Sequence, residues 1–310
     1  MIAATLKNFL ISARPRQWLK NVSLFAALAF WGELFNPDFF VRVTAAFIAF
    51  CGISSAVYIT NDIIDAPRDR LHPIKKNRPI ASGKLDPTLA GIGALLLLLV
   101  FLPFALALER YFFFMALAYV GLQLLYSLRL RDVIILDAMA VAFGFIIRVY
   151  AGSAVVSISM SSWLALTTIG LALLLAFGKR RSERTLLETI NGRRPTRQTL
   201  EHYPDILLDA MISMSASLCI ITYSLFAFQT SPRRAISLFS PILPQSLLAP
   251  KWMMLTIPIV IYGVARYLYV IYEKKEGESP EKVLLSDRPL LSAVILWILA
   301  ILVIIYGIGG

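Results

Sequence analysis

Nine stretches of this 310-residue chain are apolar for long enough to cross a lipid bilayer as helices, and nothing else in the sequence constrains the fold as strongly. They run over about 21–36, 39–60, 88–108, 111–128, 133–151, 160–178, 207–229, 251–272 and 289–308. The hydrocarbon core takes about 20 helical residues to span. Inside it the backbone must satisfy its own hydrogen bonds, which leaves helices or closed barrels, and barrel strands would be half as long with alternating polarity. The sequence therefore predicts an all-α membrane protein: one domain over residues 1–310, with nine transmembrane helices. Composition agrees, with 58% hydrophobic residues, 16% charged and a mean hydropathy of +0.72. Water cannot face most of such a surface. Cys51 and Cys219 lie inside apolar runs, without disulfide or zinc spacing.

Residues 1–20 mix Ile2, Leu6, Phe9 and Leu10 with Arg14, Arg16 and Trp18. They suit an interfacial helix with Trp18 at headgroup depth, and are too short and polar-interrupted for a cleavable signal. Placing successive loops on alternate sides collects 23 of the 30 Lys and Arg on the side of the N-terminus. The positive-inside rule makes that side cytoplasmic and the C-terminus external, as expected of a multi-pass protein of the cell membrane. The net charge of +11 is thereby assigned to the inner membrane face, and no nucleic-acid partner is expected. The polar stretches 61–87 and 179–206, both on that side, are the predicted active-site loops.

The first of them opens NDIIDAPRDRLHPIKKNRPIASG, residues 61–83. Asp62, Asp65 and Asp69, three and four apart, stack on one helix face. Stacked carboxylates repel, and a carboxylate near the membrane interior costs up to about 3 kcal/mol. A divalent cation relieves both penalties, and Mg²⁺ favours a few carboxylates completed by phosphate oxygens. Asn61 adds a neutral oxygen. Arg68, Arg70, Lys75, Lys76 and Arg78 follow as cations for the far end of a diphosphate. Pro67 disfavours helix at Ala66, so Asp69 is expected to come round on a turn. A solvated loop with self-neutralising charges is the plainer alternative; the spacing, the position at a span's end and the basic tract weigh against it.

This NDxxDxxxD stretch, after the second of nine spans, resembles the UbiA superfamily of membrane prenyltransferases. RPRQWLKN at 14–21, HPIKKNRPIASG at 72–83, KRRSE at 179–183 and SDRP at 286–289 resemble its polyprenyl-phosphate phosphoribosyltransferase branch. The likeness covers essentially the whole chain. It implies a UbiA-like helical bundle with a cytoplasmic-facing cavity and a metal held by Asn61, Asp62, Asp65 and Asp69. It also implies substrate contacts from Arg16, Gln17, Lys20, Asn21, Arg70, Lys75, Lys76 and Arg78. Superfamily members carry a second DxxxD after the fourth span; here Asp132 and Asp137 stand five apart, about 140° round a helix. Asp137 is the expected second-motif carboxylate, with Tyr126, Arg129 and Arg131 as phosphate donors, and Asp132 a helix cap. Lys179, Arg180 and Glu183 are expected in the active-site loop, whereas Arg193, Arg194 and Arg197 are read as attracting anionic lipid. Arg148 and Arg266, inside spans, are read first as structural, Arg148 as snorkelling to the outer surface. His72 and His202 receive no role.

The branch implies transfer of a 5-phosphoribosyl group from phosphoribosyl diphosphate to a polyprenyl phosphate, with Mg²⁺ (Mn²⁺ as an alternative) on the leaving pyrophosphate. Asp62, Asp65 and Asp137 are the catalytic carboxylates. The acceptor phosphate is already ionised, so no general base is required. The runner-up, prenyl transfer to an aromatic acceptor, would use the same acidic motif. A transporter would need carboxylates distributed through the membrane, and these cluster at one face. A homo-oligomer is compatible with the sequence.

Overall fold

The computed structural model describes residues 2–71, 75–189, 203–230, 251–274 and 280–308, and among these every regular element is helical. An N-terminal helix, α1 (Ile2–Ala13), leads into a 3₁₀ helix (Pro15–Phe25) and the short α2 (Ala26–Trp31). Then come α3 (Pro37–Asp69), α4 (Pro87–Leu108), α5 (Arg110–Leu128), α6 (Leu136–Val155), α7 (Ser162–Thr189) and α8 (Asp205–Thr230). A 3₁₀ turn at Trp252–Thr256 opens α9 (Ile257–Tyr269), and α10 (Pro280–Ser286) precedes α11 (Arg288–Leu302). Eight helical stretches among the described residues are long and apolar enough to cross a membrane: α3 to α8, Trp252–Glu273 and Arg288–Gly307.

The expected first span, 21–36, is built differently. Polar Asn21 and Ser23 interrupt its apolar run, and the 3₁₀ helix takes up 11 residues before the six of α2. A 3₁₀ helix rises about 2 Å per residue against 1.5 Å for an α-helix. The two expected active-site loops are also partly helix, since α3 continues to Asp69 and α7 to Thr189.

Helix starts follow the local sequence. Asn36 accepts the Asp38 N–H at 3.2 Å ahead of Pro37, and Asp86 accepts those of Thr88 and Leu89 at 2.9 and 3.0 Å ahead of Pro87. These are capping side chains with proline at the first helical position.

The described residues form two compact units: 2–29 with 33–71 and 75–159, and 30–32 with 160–189, 203–230, 251–274 and 280–308. In the first, Leu24, Leu28, Phe50, Ile53, Phe112, Tyr119 and Val155 form a buried core. The 3₁₀ helix lies directly on α6 there: a Cβ on Gly152 would fall 1.9 Å from the Leu24 carbonyl oxygen. In the second unit α7 crosses α8 at Gly170, where a Cβ would meet the Cys219 backbone at 2.7 Å. Its α9 is tied to α11 by Arg266, whose Nε and Nη2 each donate at 3.0 Å to the Asp287 carboxylate. Asp287 also caps α11 through the Leu290 N–H. Arg266 is thus structural, in keeping with its expected role.

Candidate active site

Pro67 does not end α3. It stands in the last turn, where the Arg70 N–H still reaches the Ala66 carbonyl at 3.2 Å, so the helix loses little by the missing proline donor. The expectation of a turn before Asp69 is therefore corrected: one continuous helix carries Asn61, Asp62, Asp65 and Asp69. Asp62 and Asp69 are almost fully buried, at 3% and 5% exposure.

Arginines meet them. Arg78 Nη1 stands between the two buried carboxylates, 3.1 Å from Asp62 Oδ1 and 2.6 Å from Asp69 Oδ2. Arg14 Nη2 donates to the same Asp62 oxygen, and its guanidinium lies 5.5 Å from the Tyr58 ring centroid. Arg131 Nη1 donates to Asp65, while Asn61 accepts the Ser127 hydroxyl at 2.5 Å. Arg70 bonds the Ala81 carbonyl through Nε at 3.3 Å, closing the chain after α3 back on itself.

Two buried carboxylates thus share one guanidinium nitrogen. The donors there are hard oxygens, the type Mg²⁺ takes, and two carboxylates suffice when substrate phosphate and water complete the shell. Asp62 and Asp69 are thus of the chemical type that could hold such an ion. The four-residue ligand set Asn61, Asp62, Asp65, Asp69 is not assembled as one cage. Asp65 turns to Arg131 and Asn61 to Ser127, and among the described residues no three His, Cys, Asp or Glu stand close enough to hold an ion.

The second segment departs from expectation in one respect. Asp132 does not cap α6, which begins at Leu136 after Ile135 in a positive-φ conformation (φ 70°). Asp132 instead receives Arg68 Nη1 at 3.4 Å and lies 4.0 Å from Arg131 Nε. Asp137, in the first turn of α6, is fully buried. Of the other expected substrate ligands, Arg16 and Lys76 are exposed, and Gln17, Lys20, Lys75 and Tyr126 are half-buried. Arg129 caps the end of α5. Asn21 is fully buried, bonded through Nδ2 to Ser54 Oγ at 3.2 Å and Cys51 Sγ at 3.3 Å. Trp18, half-buried, donates from Nε1 to Ser55 Oγ at 3.0 Å.

Arg148 is a larger correction. It does not snorkel, being only 3% exposed. Its Nε donates to Asn21 Oδ1 at 2.9 Å, Nη1 to the Gly144 carbonyl at 2.8 Å and Nη2 to the Tyr119 hydroxyl at 2.9 Å. Reading α6 alone could not reveal this, because two of the three acceptors, Asn21 and Tyr119, come from the 3₁₀ helix and α5. Arg14 is the contact that sequence reasoning missed as a ligand, although it opens the RPRQWLKN string.

In the second unit, the KRRSE string lies on α7. Glu183 accepts Arg180 Nη1 at 2.7 Å and lies 3.8 Å from Lys179 Nζ. Arg181 reaches Asp209 at 3.1 Å and Arg184 reaches Asp205 at 2.9 Å. His72, His202, Arg193, Arg194 and Arg197 lie outside the described residues.

Comparison with known proteins places this architecture. The model of the UbiA prenyltransferase family matches residues 22–286. A decaprenyl-phosphate phosphoribosyltransferase of Mycolicibacterium smegmatis is 33% identical, the match covering 93% of this chain and 89% of that protein. One of Corynebacterium glutamicum is 32% identical over 94% of this chain and 85% of its own length. Among solved structures, a UbiA homologue of Archaeoglobus fulgidus bound to GPP and Mg²⁺ superposes with a TM-score of 0.67 at 17% identity, covering 96% of this chain and 99% of the other. With a family match over residues 22–286 and relatives about a third identical along most of its length, the chain belongs to the UbiA prenyltransferase family.

Proposed function

We propose that the protein transfers a 5-phosphoribosyl group from phosphoribosyl diphosphate to a polyprenyl phosphate at the cytoplasmic face of the membrane. The observation that carries this reading is the convergence of Asp62 and Asp69 on one cationic nitrogen, with Arg14 also on Asp62 and Arg131 on Asp65. Relatives named for this activity, about a third identical along most of the chain, support it over prenyl transfer. The charge asymmetry of the loops supports the cytoplasmic orientation, with the N-terminus inside and the 3₁₀–α2 segment as a ninth crossing.

Asp62 and Asp69 would hold Mg²⁺, with Mn²⁺ able to substitute, and the ion would neutralise the diphosphate as it departs. Arg14 and Arg78, each about a quarter exposed, can then turn from carboxylate to phosphate oxygens, as guanidinium forks bind both in the same bidentate way. Lys20, Lys75 and Lys76 supply further positive charge near the leaving group. Arg131 keeps Asp65 oriented, and Asp137 lies in the α6 turn just beyond it. Separately, on α7, Lys179 and Arg180 are proposed as phosphate-binding cations, with Glu183 orienting them. The acceptor phosphate oxygen attacks C1 of ribose while the C1–O bond to pyrophosphate breaks. No side chain need remove a proton, since the nucleophile is ionised at neutral pH.

Purified protein in detergent with Mg²⁺, offered radiolabelled phosphoribosyl diphosphate and polyprenyl phosphate, is expected to give labelled lipid. Offered prenyl diphosphate and 4-hydroxybenzoate, it is expected to give no product. The reverse pattern would assign prenyl transfer instead.

A further inference from the structure

Arg148 carries a full positive charge about 18 Å along α6 from Leu136. Its bonded partners are all neutral: Asn21, the Gly144 carbonyl and Tyr119. The rings of Tyr119, Phe145 and Phe50, with centroids 4.6, 5.5 and 5.6 Å from Cζ, lower the cost of that charge but do not cancel it. No carboxylate pairs with it among the described residues. A charged residue inside a span without a counter-ion is costly and marks a functional site by default. Three of its five N–H groups are engaged, and two remain for a ligand.

A polar seam joins this cation to the carboxylate cluster. Along α3 the face reads Asp62, Tyr58, Ser55, Ser54 and Cys51. Against it lie Arg14 on Asp62, Trp18 on Ser55 and Asn21 on Ser54. Tyr58, next on that face, has the Arg14 guanidinium over its ring at 5.5 Å from the centroid. From Asp62 to Ser54 the helix axis runs about 12 Å. A pentose with phosphate groups on opposite ends has comparable length. A prenyl diphosphate, anionic at one end and apolar along its tail, would bring nothing to satisfy a buried guanidinium there.

Resting on the phosphoribosyl reading above, we propose that Arg148, with Asn21, Ser54 and Tyr119, forms a phosphomonoester subsite. It takes the 5-phosphate of the donor while the diphosphate sits at Asp62 and Asp69. Arg148 then selects a donor that is anionic at both ends.

Steady-state kinetics of Arg148→Met tests this, with inorganic pyrophosphate as a competitive probe of the carboxylate end alone. The KM for phosphoribosyl diphosphate should rise about 10- to 100-fold, the equivalent of one charge-assisted hydrogen bond, while the pyrophosphate inhibition constant and the KM for polyprenyl phosphate stay unchanged. Should Arg148→Met fail to insert, Asn21→Asp gives the guanidinium a carboxylate of the same shape as the amide it now meets. It should raise the donor KM in the same way without lowering the melting temperature. A rise confined to the polyprenyl-phosphate KM would move the subsite to the acceptor and overturn the assignment to the donor. Unchanged KM values, or a pyrophosphate constant rising in parallel with the donor KM, would overturn the subsite itself. Wild-type protein that transfers no phosphoribosyl group would refute the parent reading and this one together, an outcome distinct from active wild type with an indifferent variant.

Discussion

Arg14, Arg78 and Arg131 show how a carboxylate cluster tolerates burial at the end of a span. Asp62 is 3% exposed and is met by two guanidinium groups, and removing one partner from a buried ion pair costs about 3–5 kcal/mol. Arg78→Met is therefore expected to lower the unfolding temperature in detergent, and added Mg²⁺ with pyrophosphate should recover part of the loss. Asp65→Ala, which deprives Arg131 of its partner, should abolish turnover while the protein still inserts; near-normal turnover would remove Asp65 from the mechanism. The triad itself was legible in the sequence, because its spacing of three and four has a helical meaning. Its partners were not. Arg14 lies 48 positions from Asp62, and Arg131 lies 66 from Asp65, and pairings at such distances are made by the packing of helices, which no local pattern encodes. Ile135 was equally hidden: a β-branched residue at φ 70° is rare, and the turn that needs it links Arg131 to Asp137.

At the scale of elements, capped and proline-started helices were readable, as Asn36–Pro37 and Asp86–Pro87 show. The 3₁₀ helix was not, because Val22, Leu24 and Phe25 run straight on into the apolar α2 and together read as the start of an ordinary span. What fixes it in place is Gly152, whose missing side chain lets the Leu24 backbone rest on α6. The neighbour is backbone and cannot give way as a flexible side chain would. Gly152→Ala should therefore push the 3₁₀ helix off α6, at a cost of about 1–3 kcal/mol, the usual penalty of overpacking. Since that helix begins beside Arg14 and carries Asn21, donor KM should rise as well. Thermal unfolding and kinetics on one preparation check both effects, and an unperturbed KM would show that Arg14 does not depend on this contact. Pro67 was misjudged from sequence because a proline's effect depends on how much helix follows it. Here only Arg68 and Asp69 do.

For the molecule as a whole, the apolar runs and the one-sided distribution of Lys and Arg made the class readable before any coordinate. The orientation has its own test. Lys84→Cys, in the exposed turn before α4, should react with a membrane-impermeant maleimide in inverted vesicles and not in intact cells; the opposite labelling would invert the topology. Binding of Mn²⁺, followed by its electron paramagnetic resonance signal, tests the metal and diphosphate site most directly. In the presence of pyrophosphate, wild-type protein is expected to bind Mn²⁺. Asp62→Asn and Asp69→Asn, each removing one of the two convergent carboxylates, are expected to lose that binding by tenfold or more, about 1.4 kcal/mol. Mn²⁺ bound with unchanged affinity in both variants would contradict a diphosphate site at the end of α3.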